Sequence, residues 1–184
     1  KYMGRNHYLF NNSDVWSIDG DYKGFNIPST LLCVQPNSKS EYAQVVSLLT
    51  PMSLTTCDKW SANSSVGRRG EEYNEFKAQF SEAVIDFVSQ FYPELRSCVD
   101  RVYTASPLTY RDYTSTPHGC AYGVVKDCRN PLITLFPART RISNLLITGQ
   151  SLNMHGCIGT TVSSAVTCSE IVGMEYLAKK IGNA

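Results

Sequence analysis

The residues best placed to do chemistry lie in one run, Gly149-Gln150-Ser151-Leu152-Asn153-Met154-His155-Gly156-Cys157-Ile158-Gly159-Thr160. One chemistry to weigh is nucleophilic. Ser151 follows an apolar run and falls one residue short of a G-x-S-x-G nucleophile elbow, with Asn153 at the small-residue position. An elbow holds its serine on the tight turn itself, with the following helix supplying the oxyanion hole. Here Gly156 and Gly159 intervene before the helical pattern, and His155 is too near in sequence to serve as a base of that kind. The other chemistry is a ligand cradle. A helix that opens after a glycine-punctuated turn presents free N–H groups and the positive end of its dipole, which suits an anion or a cofactor. Neither G-x-x-x-x-G-K-[ST] nor G-x-G-x-x-G occurs, so the chain carries no nucleotide fingerprint of its own.

The elements that would hold this run follow from its flanks. Leu145 to Thr148 is a short apolar stretch closed by Gly149, the pattern of a buried strand. Thr160 or Thr161 can cap a helix expected to run to about Lys180 and to stop at Gly182. Its first half, Thr160 to Ser169, is made almost entirely of small residues, so another backbone or a flat ligand must approach it closely.

Other chemistry-bearing residues are scattered. The seven cysteines are odd in number, widely spaced and without a C-x-x-C pair. They read as reduced thiols in a cytoplasmic setting, with no metal site. His7 has no second His or Cys at metal-ligand spacing, so it reads as a half-buried strand residue. Arg68 and Arg69, between Gly67 and Gly70, could meet a phosphate, although a solvated loop before a helix explains them as well. A net charge of +1 gives no electrostatic case for nucleic acid. No apolar run approaches membrane-spanning length.

Upstream, short strands are predicted within Tyr2 to Phe10, Val15 to Ile18, Ser29 to Val34 and Ala43 to Thr50. From Glu71 to Phe91, Tyr73, Phe76, Phe80, Val84, Phe87, Val88 and Phe91 recur at three- and four-residue steps. That predicts a long helix with a core-facing aromatic stripe, halted by Pro93. Cys98 to Leu108 reads as a further strand. Thr109 to Gly123, with Tyr110, Tyr113 and Tyr122, reads as a long irregular loop shaped for binding.

Taken together, several segments resemble a known family. Pro107-Leu108-Thr109, Tyr113-Thr114, Pro117-His118-Gly119, Ala121-Tyr122-Gly123 and Leu146 to Thr160 are similar to the C-terminal part of the phytoene desaturase superfamily. The closest branch is that of the carotenoid isomerases and all-trans-retinol saturases, which the helix opening Gly67 to Tyr73 also resembles. The resemblance runs from about Ala43 onward and is most specific at Gly149 to Gly159.

It implies an FAD-dependent oxidoreductase acting on carbon–carbon double bonds of a polyene or isoprenoid, by desaturation, saturation or isomerisation. It implies an α+β fold, with antiparallel strands and one long helix from part of a substrate domain (residues 1–140). The closing strand, turn and helix of a Rossmann-like FAD domain would follow (residues 141–184). Gly149 and Gln150 would lie near the ribityl and pyrophosphate. His155, Gly156, Cys157, Ile158 and Gly159 would pass the isoalloxazine, with Thr160 opening the helix beneath it. Distant flavoproteins of this type carry an acidic residue where this chain has Gln150, whose amide can make the same hydrogen bonds. Tyr110, Tyr113 and Tyr122 would line an apolar substrate channel, and no residue is assigned a catalytic role.

The chain opens at Lys1 inside a strand-like pattern, so it is expected to be a C-terminal piece whose N-terminal half supplies the rest of the FAD site. Expected partners are that missing half and an apolar small molecule. By itself the piece should bind no FAD and should self-associate or leave Gly149 to Gly159 mobile. Peripheral membrane contact of the parent is left open. A serine hydrolase built on Ser151, or an apolar-ligand binding module without redox chemistry, are the rival readings.

Overall fold

The computed structural model describes residues 1–15, 24–62 and 69–182. The chain divides into two units, residues 1–119 and 120–184. This contact boundary differs from the 140/141 division inferred from the family resemblance, which concerns parent domains.

The first unit is a three-stranded antiparallel sheet covered by one helix. Strands β1 (His7–Phe10), β2 (Ser29–Val34) and β3 (Val46–Leu49) lie in the order β1-β2-β3. Leu9 pairs with Thr30, and Leu32 pairs with Leu48. In β2 the period of two buries Thr30 and Leu32, and the Thr30 hydroxyl hydrogen-bonds that of Thr50 at 2.7 Å. Of the expected strand over Val15 to Ile18, residues 16–18 lie outside the described residues.

Helix α1 (Glu71–Ser89) packs its predicted stripe on the sheet. Phe80, Val84, Phe87 and Val88 form one core with Leu9, Ile27 and Leu32. Glu71 and Glu72 sit in its first turn, where they complement the helix dipole. His7 is indeed a strand residue. Its Nδ1 lies 2.7 Å from the Tyr92 hydroxyl, and the two rings meet edge to face.

A second core joins the start of α1 to two later segments. Cys57 and Trp60, on a 3-10 turn spanning Leu54–Trp60, pack with Tyr73 and Leu108. Burial pushes the Cys57 thiol up from its ordinary value, so it is an inert packing group. Leu108 belongs to helix α2 (Pro107–Thr114), which corrects two expectations. Cys98 to Leu108 forms no strand, and Thr109 to Thr114 is no irregular loop. The cause is the cap. The Ser106 side chain accepts from the Leu108 N–H at 3.2 Å, while its own N–H donates to Thr109 Oγ1 at 3.1 Å. Pro107 fills the first helical position, where a missing N–H costs nothing. Ser115, at φ +55°, ends the helix in the left-handed region. Gly119, also left-handed at φ +65°, tucks under the Pro107 carbonyl, where any Cβ would collide.

The second unit holds helices α3 (Gly156–Val172) and α4 (Met174–Gly182), with irregular chain before them. Leu145 to Thr148 does not form the expected strand. It makes only an isolated bridge, Arg139 with Leu146, closed by hydrogen bonds Thr140 N to Leu145 O and Ile147 N to Ala138 O. A strand needs a ladder of consecutive pairs, and among the described residues this segment makes that single bridge, while its Ile147 carbonyl accepts from the Thr167 hydroxyl of α3. The helix also differs from expectation. It opens at Gly156 instead of Thr160, and Gly173 at φ +87° splits off α4. Ala138 and Leu152 are the buried apolar side chains of this unit, whereas Val125, Leu132, Ile133, Ile158 and Ile171 stay exposed.

Candidate functional site

The Gly149 to Thr160 run lies in the second unit, where each part of it has an identifiable support. Gly149, at φ +103°, turns the chain after the bridge, and the Leu152 N–H closes that turn on the Gly149 carbonyl at 3.2 Å. Leu152 is buried, and polar contacts fix its own carbonyl and the side chain of Asn153. Asn153 acts as a substitute strand. Its amide donates to the Phe136 carbonyl at 2.8 Å, and its side-chain oxygen accepts from the Phe136 N–H at 2.9 Å. Lys126 bridges the carbonyls of Thr134 and Leu152 at 2.6 and 2.7 Å. Gly123 lies so close to Ser151 that a side chain there could not be accommodated.

His155 then leads into α3. Its backbone is extended, its side chain makes no capping bond, and its ring packs 4.5 Å from that of Tyr122. Gly156 takes φ +76°, and the first turn carries no acidic residue. Residues 155–158 are exposed, with Ile158 reaching 83%. The opening of α3 therefore offers uncapped backbone N–H groups next to an aromatic–imidazole pair, an arrangement that favours negative charge. Further along, the hydroxyls of Thr161, Ser164 and Thr167 bond back to the carbonyls of Cys157, Thr160 and Ser163. This internal satisfaction leaves the small-residue helix free to be buried against another surface.

Gly159 is different from its neighbours. It is buried, and a Cβ there would lie 2.7 Å from the Met154 carbonyl carbon and 2.8 Å from the Met154 Cβ. Its need for glycine is thus met within the unit, by the loop folding back on the helix. Gly149 and Thr160 are half-buried, and Gln150 is exposed. Of the three tyrosines expected to line a channel, Tyr110 and Tyr113 stand three residues apart on α2 of the first unit. Tyr122 belongs to the second unit. Sequence reasoning missed Asn153 and Lys126 as supports of the loop, because both act on backbone carbonyls that no side-chain pattern marks.

Ser151 is exposed, and among the described residues no histidine hydrogen-bonds its hydroxyl. Four residues separate it from the opening of α3 at Gly156. Among the described residues no three His, Cys, Asp or Glu converge as metal ligands, and no helix is long and apolar enough to cross a membrane.

This loop and helix belong to a chain with clear relatives. It is 32% identical over 139 residues to the all-trans-retinol 13,14-reductase of Homo sapiens, an alignment covering 74% of this chain and 22% of that protein. The chain is similar to all-trans-retinol 13,14-reductases. The protein of that name from Danio rerio is 24% identical over 183 residues, which is 91% of this chain and 30% of the relative. That from Rattus norvegicus is 30% identical over 134 residues, 69% of this chain and 21% of the relative. The chain thus spans between about a fifth and a third of the length of the curated retinol reductases it matches. No protein-family model matches it, and no solved structure does.

Proposed function

We propose that the chain forms part of an FAD-dependent oxidoreductase of the phytoene desaturase and retinol saturase kind, acting on carbon–carbon double bonds of an apolar polyene or isoprenoid. The observation that carries this reading is the similarity to retinol reductases over most of the chain's length. The second unit supports it physically. Its α3 opening is uncapped, exposed and free of acidic residues, as an electron-accepting cofactor with a developing negative charge would require. Its apolar side chains lack a core of their own, as expected of the closing piece of a larger FAD-binding domain.

In this reading Gly149 and Gln150 hold the ribityl and phosphate portion, and His155 to Ile158 run beside the flavin ring with Thr160 below. Gly159 keeps α3 on its loop, and so sets where those N–H groups point. When bound, the flavin would supply hydride chemistry at the double bond; the chain's own residues orient it, bias its charge and exclude water. Within the first unit, Tyr110 and Tyr113 on α2 offer aromatic surface to an apolar substrate, and within the second unit Tyr122 does so beside His155. The exposed apolar side chains of the second unit make burial against the remainder of the parent, or self-association of this chain alone, the expected fates of that surface.

The test uses the full-length protein that contains this segment. It should purify with bound flavin and reduce a polyene such as all-trans-retinol. Ile158→Glu places a carboxylate at the open end of α3 and should lower both flavin content and midpoint potential. In the 184-residue chain the same change should leave the circular dichroism unaltered, because Ile158 is exposed there. A full-length protein without flavin would overturn the reading. So would an Ile158→Glu variant with unchanged flavin content and midpoint. Labelling of Ser151 by a fluorophosphonate would instead favour hydrolysis.

A further inference from the structure

The first unit contains a cavity of about 220 Å³ between α1, α2 and the extended chain at Thr104. Its lining includes Arg69, Lys77, Asp112, Thr104, Thr109 and Tyr113. Arg69 and Asp112 are 4% and 5% exposed in their side chains and form an ion pair, and Arg111 Nε donates to the second Asp112 oxygen at 3.1 Å. Both oxygens of the single lining carboxylate are therefore already engaged.

What remains in the cavity is an excess of cationic donors, beside the neutral Asn74 amide and the Tyr113 hydroxyl, which can donate or accept. Arg69 Nε is buried and without a hydrogen-bond partner among the described residues. The Lys77 ammonium stands 5.2 Å from the centre of the Tyr73 ring, and among the described residues no carboxylate pairs with it. Thr109 Oγ1 accepts from the Ser106 N–H, so its hydroxyl hydrogen is free to donate. Two cations against one engaged carboxylate leave the cavity net positive. Its volume corresponds to roughly seven waters at liquid density, more than a halide needs and enough for an oxyanion head on a short organic body.

We propose that this cavity is a binding site for a small oxyanion, a carboxylate or a phosphate, anchored by Lys77 and held by the hydroxyls of α2 beside the Arg69–Asp112 pair. The site lies within the first unit and does not depend on the flavin reading. The sources of the oxyanion are separable by probe. Inorganic phosphate and benzoate are each titrated into the 184-residue chain against sodium chloride of equal ionic strength, with calorimetry and thermal unfolding as readouts. Saturable binding and a raised melting temperature with either probe, beyond the chloride control, are expected. A response to phosphate alone assigns a phosphate ligand, and one to benzoate alone assigns a carboxylate with an apolar body. Lys77→Met should weaken binding by about tenfold or more, since it removes a charge-assisted hydrogen bond, and Lys77→Arg should retain it. Lys77 is half-exposed on α1, so both variants should keep the wild-type circular dichroism. Absence of saturable binding to both probes would overturn the proposal, as would a folded Lys77→Met variant that binds as wild type does.

Discussion

Asp112→Asn tests how the first unit is held together. The substitution keeps the side chain's shape but leaves the Arg69 guanidinium, 4% exposed, without its carboxylate. Removing one partner from a buried ion pair costs about 3–5 kcal/mol, because the remaining charge stays desolvated. The retained side-chain oxygen can still accept one hydrogen bond, which places this variant at the low end, about 3 kcal/mol. With a urea dependence of about 1.5–2 kcal/mol per molar for a unit of this size, the midpoint should fall by about 1.5–2 M. Both tryptophans, Trp16 and Trp60, fall within residues 1–119, so fluorescence follows this unit selectively. The pH dependence has a definite sign. The hydrogen bond from Arg69, aided by Arg111, holds the Asp112 carboxyl below its ordinary value of 3.8. The pair therefore stabilises the fold fully above that value, and the contribution is lost as pH falls from 3.8 toward the depressed folded value. Wild type and Asp112→Asn should converge in acid. Replacing both partners with apolar residues, Arg69→Met with Asp112→Leu, should recover much of the loss. A midpoint shift below about 0.5 M at neutral pH, against the about 1.5–2 M expected, would refute the reasoning. Strict additivity in the double mutant would do the same.

Ser106→Ala should cost the first unit about 2–3 kcal/mol in urea titrations, because it removes the α2 cap and strands the Tyr73 hydroxyl, 2.6 Å from Ser106 Oγ. Tyr73→Phe should cost less, about 1 kcal/mol, since the Ser106 hydroxyl keeps its bond from the Leu108 N–H. Gly159→Ala drives a methyl into Met154 and should destabilise the second unit by about 1–3 kcal/mol. It should lower the helical signal at 222 nm while the tryptophan-monitored transition of residues 1–119 stays in place.

Sequence by itself determined the elements whose cause is local. The aromatic stripe from Tyr73 to Val88 repeats at helical spacing, and α1 begins at the expected Glu71 and ends within two residues of the expected Phe91. The β-rich run Ser29–Val34 is β2 to the residue. The glycine-punctuated turn was legible at Gly149, which takes positive φ, but the helix after it opens at Gly156, four residues ahead of the expected Thr160. Tertiary structure decided the rest, wherever the partner is distant in sequence. Helix α2 depends on Ser106, whose hydroxyl is shared with Tyr73 thirty-three residues earlier. Arg69 finds Asp112 across forty-three residues, a pairing that no spacing rule contains. Leu145 to Thr148 has a strand's composition but forms one isolated bridge, because a strand is defined by the chain beside it. Helix α3 starts ahead of Gly159 because Met154 folds over that glycine and stabilises a helical turn that propensity alone disfavours. Periodicity is written in neighbouring residues, whereas the anchoring of a local cap by a distant tyrosine, a buried ion pair and the pairing of a strand are properties of what the folded chain brings together.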